Sequence, residues 1–233
     1  MEASAKIRRI TRAGSGLALV LFPPMLLAGF LLHPNIMSLE LITEAEAWAA
    51  EFRGSFWFHF GHLIVLLVAP LAIVVGVRCM RFTHGDGAWL VFVGGVLGVF
   101  GAFILAVDKG SLTLVLTAFD TLPDAEFEQS YPALQVLLDR GGWLWIVNLL
   151  ALLPLGFAIQ AIGLAKAGVI GKGQAALMAL GMATLFAGDI EIVTSVGALL
   201  MCFGYIPLGI RELRGELDAV PAAVARPEAS HVT

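Results

Sequence analysis

In the stretch FWFHFGHLIVLLVAP, residues 56–70, His59 and His62 stand three apart at the head of a run apolar enough to cross a bilayer. That spacing puts both rings on one helix face, and an ionisable group inside a membrane span is costly enough to demand a partner or a use. Neutral histidines from two helices can hold haem b axially. His33 with His59 or His62 would supply one ligand from each of two spans, although the i,i+3 pair cannot itself take both axial positions. A divalent metal such as zinc would instead take His59 and His62 with Asp108 or Asp189, the neighbouring acids fixing ring orientation. The remaining reading is structural: a neutral histidine bonded to a side chain or carbonyl of the next helix adds about 1 kcal/mol to packing. Asn148, at a similar depth, is the expected partner of His62. Asp108 and Asp189 are expected to reach His59 or a bound cation from their helix ends.

What is missing narrows the chemistry. The chain has no HExxH or HxxxH, no Walker loop, no nucleophile elbow, no dinucleotide fingerprint, and no stripe of basic and aromatic residues for nucleic acid. Cys79 and Cys202 form neither a disulfide framework nor a thiolate metal spacing. No motif is specific enough to place the chain in a family.

The elements that must position these residues follow from composition. At 59% hydrophobic and 14% charged over 233 residues, the chain has too little charge for the surface of a water-soluble domain. It reads as an all-α membrane protein, a six-helix transmembrane bundle. Its spans fall near residues 13–33, 56–77, 87–107, 143–163, 173–189 and 192–210, each close to the roughly 20 apolar residues that crossing requires. The turn between the last two should fall at Asp189, Ile190 and Glu191, the one polar break there. KIRRITR before the first run resembles a signal peptide, but no small-residue cleavage pattern follows, so the run is read as a span. Pro23 and Pro24 should kink it.

With six spans and the N-terminus inside, eleven of the 14 Lys and Arg fall in cytoplasmic segments, leaving only Arg53, Lys109 and Arg140 outside. Both termini are therefore expected in the cytoplasm of a cell with this protein in its plasma (inner) membrane. The outer face is acidic, holding Glu40, Glu44, Glu46 and Glu51 among others. Residues 1–211 read as a single polytopic domain and 212–233 as a disordered cytoplasmic tail.

Two outer segments are long enough for an extracytoplasmic cap of short amphipathic helices. In SLELITEAEAWAAEFRG the apolar residues Leu39, Ile42, Ala45, Trp48, Ala49 and Phe52 recur at helical spacing. Thr43 and Glu46 form a potential capping box, and Trp48 would anchor the helix at the interface. Residues 109–122 could extend span three, re-enter the membrane or lie at its surface; after the turn at Leu122, Pro123 and Asp124 a further short helix leads to Asp139 and Arg140. Gly94, Gly95, Gly98 and Gly101 make a small-residue stripe on span three, fit for close helix packing or for another membrane subunit; the acidic outer face is a second candidate surface for a partner.

The function expected from these features is an accessory or small-ligand- or cofactor-binding membrane protein. Its site would be a polar pocket of His, Asp and Asn in the outer half of the bilayer, walled by spans one to four and roofed by the cap. The alternatives are a small proton- or ion-coupled transporter, in which Pro70, Pro154 and Pro207 break spans and Asp189 serves as an ion site, or an intramembrane metal-dependent hydrolase.

Overall fold

A computed structural model describes residues 2–83, 85–188 and 190–218; among them the protein is all-helical, without strands. Five helices are long and apolar enough to cross a membrane: α1 (Glu2–Leu31, its apolar part from Ala5), α3 (Phe56–Cys79), α4 (Ala88–Asp120), a fourth span over Gly142–Lys166, and α9 (Glu191–Arg214). The fourth is composite, opening as a 3-10 helix (Gly142–Ala151) and continuing as α7 (Leu152–Lys166). Three short helices, α2 (Ala45–Phe52), α5 (Asp124–Glu128) and α6 (Tyr131–Leu138), gather at one end of the bundle. α8 (Lys172–Ala183) continues into a 3-10 turn, Thr184–Ala187.

Around the bundle the order is α1, α3, α4, α7, α8, α9, each helix packing on the next and α9 returning to α1. Neighbours run antiparallel. Gly29 meets Gly61 and Val65, Gly76 meets Val99, Gly101 meets Leu153, and Gly204 meets Met178. Phe22, Phe157 and Tyr205, from α1, α7 and α9, fill the middle, with Tyr205 edge-on to Phe22 at 4.8 Å between centroids.

The glycine stripe explains why α4 and α7 pair so closely. A Cβ at Gly94 would lie 2.4 Å from the Gln160 amide nitrogen, one at Gly101 2.1 Å from that of Leu153, and one at Gly156 2.1 Å from that of Gly98. Backbone meets backbone there, so the stripe is consumed inside the chain and offers no surface to another subunit. Gln160, buried on α7, donates to the carbonyls of Gly76 at 3.0 Å and Val91 at 3.3 Å, tying α3 and α4 to the same helix.

Several expectations are corrected. The fifth expected span, 173–189, forms as α8 with only twelve residues of α-helix and a four-residue 3-10 extension, and does not qualify beside the other five. Its chain reversal does fall where the polar break predicts: Gly188 takes a positive φ of 63° and α9 starts at Glu191. Residues 109–120 extend span three without interruption, making α4 33 residues long. The capping box does not form, because Glu44 is the N-cap of α2 and makes no side-chain cap bond. Trp48 packs edge-on against Phe52 within the short-helix cluster. Pro70 and Pro207 do not break their spans, since α3 and α9 continue through them, whereas Pro154 lies in the first turn of α7, just after the fourth span changes from 3-10 to α-helix. α9 runs past residue 211 to Arg214, and Glu212 and Leu217 are buried, so the packed domain reaches beyond the expected boundary. Residues 219–233, with His231, and also His84, lie outside the described residues.

Candidate functional site

Between the long helices, under α2 and α6, lies a cavity of about 240 Å³. α1 contributes Phe30 and His33, α3 contributes Phe58, His62 and Val65, and α4 contributes residues from Val107 to Val115. The 3-10 segment supplies Leu144, Ile146 and Val147, and the start of α9 supplies Glu191 and Thr194. Trp48 and Glu51 of α2 and Leu137, Leu138 and Arg140 from the end of α6 roof it. The lining is mostly apolar, with ionisable groups from every side, the pattern of a small-molecule site.

His62 is buried, and its Nδ1–H donates to the Phe58 carbonyl one turn back at 3.0 Å. A neutral imidazole has one donor and one acceptor, so Nε2 remains as the acceptor His62 can offer. The His33 ring lies 5.0 Å from that of His62 between centroids, inclined by 42°, and Phe58 packs on both. His33 Nδ1 stands 3.2 Å from Glu191 Oε1, an ion-pair distance, with an orientation that makes no hydrogen bond. Above them the Asn35 amide donates to Glu51, a buried carboxylate on the roof helix.

Asp108 is not a helix-end residue. It lies in the interior of α4 and pairs with Lys109 at 3.3 Å, both side chains largely covered. Gly110 packs against Leu66, so this ion pair is level with the middle of α3. From Trp57 to Arg78, α3 covers about 32 Å at 1.5 Å per residue, the thickness of a hydrocarbon core. The pair thus lines a cavity at a depth where charge is tolerated only with a partner or with water.

His59 parts company with His62. Its Nε2 is 3.2 Å from Asp120 Oδ2, at the end of α4, and neither Asp108 nor the cavity is its neighbour. Asp120 also accepts from the Gly54 amide at 2.7 Å, and Arg53 donates to the carbonyls of Phe119, Asp120 and Leu122 while stacking over Phe127. These bonds satisfy the orphan carbonyls at the C-terminus of α4 and fasten the short helices to it. Asn148 is exposed and accepts from Arg140 at 2.7 Å, so it is not the partner of His62. Asp189 lies outside the described residues.

The two cofactor chemistries fare differently from the pocket itself. The rings of His33 and His62 are in contact, with no slot between them for a porphyrin, so the pair does not fit axial haem ligation. Among the described residues no three His, Cys, Asp or Glu side chains converge as a metal-ligand set.

Sequence reasoning missed the polar groups whose partners are distant in the chain. Glu212, fully buried at the opposite end of the bundle, accepts from Arg78 Nε at 2.7 Å and from Ser15 Oγ at 2.8 Å, joining α9 to α3 and α1. Its place in the sequence, between Arg211 and Arg214 at the end of an apolar run, reads as a solvated helix terminus. Gln160 is the other omission; a lone amide inside a span was a signal that could have found it. No family model, curated protein or solved structure matches the chain.

Proposed function

We propose that this is an integral membrane protein that binds a small ligand in the cavity beneath α2 and α6. The observation that carries the reading is the cavity's lining: an apolar wall built from α1, α3, α4, the fourth span and α9, into which His33, His62, Asp108, Lys109 and Glu191 bring ionisable groups. Structural polarity alone explains a bonded histidine, but not a void with this many charged groups around it. In this reading α8 with its 3-10 extension, about 26 Å long, completes a sixth crossing. Both termini are cytoplasmic, and the cavity and its roof face outward from the plasma membrane, in keeping with the division of Lys and Arg.

Chemistry does not follow from the lining. The protein acts by holding its ligand, alone or as the accessory subunit of a larger assembly.

The test is retention of a co-purified small molecule, read by native mass spectrometry of wild type and of His62→Ala and Glu191→Ala. Each variant removes one polar contact worth about 1–2 kcal/mol, so its occupancy should reflect a roughly five- to thirty-fold weaker Kd. Equal retention in all three proteins would place the ligand elsewhere.

A further inference from the structure

The ligand's class can be read from how the cavity's charges are already matched and from where its wall is thin. Asp108 pairs with Lys109, and the other charges of the lining, Glu51 and Glu191 against Arg140, largely offset one another. Charges answered within the protein do not call for a ligand of large net charge. The lining leaves two ring nitrogens open, Nδ1 of His33, which makes no hydrogen bond, and Nε2 of His62, whose Nδ1–H is already donated to Phe58; the acceptor at His62 calls for a donor N–H or O–H.

The wall, meanwhile, is incomplete on one side. The 3-10 segment Gly142–Ala151 packs on α4 and on α7, yet contains no buried residue; nor does the turn Thr184–Ala187 that ends α8. Trp143, Trp145, Ile146 and Phe186 are all exposed there. The cavity is lined on that side by Leu144, Ile146 and Val147 and, across from them, by Gly188, Glu191 and Thr194. Beyond the α-helical part of α8, the 3-10 segment and the turn Thr184–Ala187 thus set exposed apolar side chains beside the cavity lining.

Resting on the pocket reading above, we infer that the ligand is a membrane amphiphile with an uncharged or zwitterionic head. It enters sideways between the 3-10 segment and the start of α9, placing a head-group donor at His62 and leaving its tail among the lipids. A lipid and a free head group share this head chemistry, and the experiment separates them.

The full-length protein in detergent is labelled with a lysophosphatidylethanolamine carrying a diazirine in its acyl chain, with soluble glycerophosphoethanolamine, the same zwitterionic phosphodiester head without the tail, as competitor. Label should concentrate in residues 142–151 and 186–194. Val147→Trp, or Leu144→Trp should the first variant fail to fold by size exclusion and thermal melting, should lower labelling there by about tenfold, the equivalent of one lost apolar contact in affinity. Label spread evenly over the lipid-facing helices and insensitive to both variants would overturn the inference. So would complete displacement by soluble glycerophosphoethanolamine at a concentration equal to that of the lipid, which identifies a water-borne ligand and leaves the pocket reading intact. Failure of the pocket reading has a separate signature: His62→Cys, in a chain with Cys79 and Cys202 replaced by alanine, would be unreactive to small thiol reagents in either the presence or the absence of lipid.

Discussion

Replacing Gly101 by alanine adds a single methyl group at one of the two tightest points between α4 and α7. The new Cβ would lie 2.1 Å from the Leu153 nitrogen and 2.5 Å from its Cα. Ordinary van der Waals contact begins at 3.4 Å, so the two helices must part locally by about 1.3 Å. Neither obstructing atom belongs to a side chain that could rotate away. A gap of 0.5–1 Å already forfeits about a quarter to a half of the dispersion energy across it, and Gly94 and Gly156 sit in the same seam, so the loss extends beyond one contact. Overpacking of this kind costs about 1–3 kcal/mol, and backbone obstruction places Gly101→Ala toward the upper end. Gly173→Ala is the control: nothing lies within 4 Å of its Cβ, and at the second residue of α8 the change is close to neutral or slightly favourable. Gly168 would be a poor control, because its φ of 71° strains any side chain. Reversible unfolding in mixed micelles, followed by circular dichroism against the mole fraction of denaturing detergent, should separate the two variants by about 1–3 kcal/mol. Equal stability would refute the backbone-contact account of the α4–α7 seam.

At the opposite end of the bundle, Glu212→Ala removes a fully buried carboxylate from Arg78 and Ser15 and should destabilise by about 3–5 kcal/mol in the same assay. Glu212→Gln, which retains an acceptor for Ser15, should lose less, and parity between the two would show that the charge is irrelevant there. Gln160→Leu gives up two interhelical bonds within the membrane and should cost about 1–2 kcal/mol, a loss absent from Gln174→Leu only if the latter's bond to Gly204 contributes nothing. Reporter fusions after Lys172 and after Asp218 should both report cytoplasm; opposite locations at the two sites would follow if α8 does not cross, and would reverse the side assigned to one terminus.

The sequence by itself determined the class of this protein and the position of most of its long helices. The reason is that an apolar run of span length has few other fates, since the bilayer forces its backbone to bond internally. The turn at Gly188 to Glu191 was equally legible, because a polar break in hydrocarbon stands out. The short helices near residues 45–52 and 124–138 were visible as amphipathic segments, but their attachment through Arg53 and Asp120 was not. Partnerships between side chains could be decided only by tertiary structure. His59 and His62 share a helix face, yet a rotation of one turn's fraction sends the first to Asp120 and the second into the cavity with His33. Asn148, placed at the right depth by counting, falls on a 3-10 segment whose larger rise and tighter turn alter both its height and its direction, so it meets Arg140 instead. Glu212 looked solvated from its neighbours in the chain and is buried by helices 134 and 197 residues away. Hydropathy is a property of neighbouring residues and can be read along the chain. The pairing of buried charges depends on which helix faces come together, and that is set only when the bundle closes.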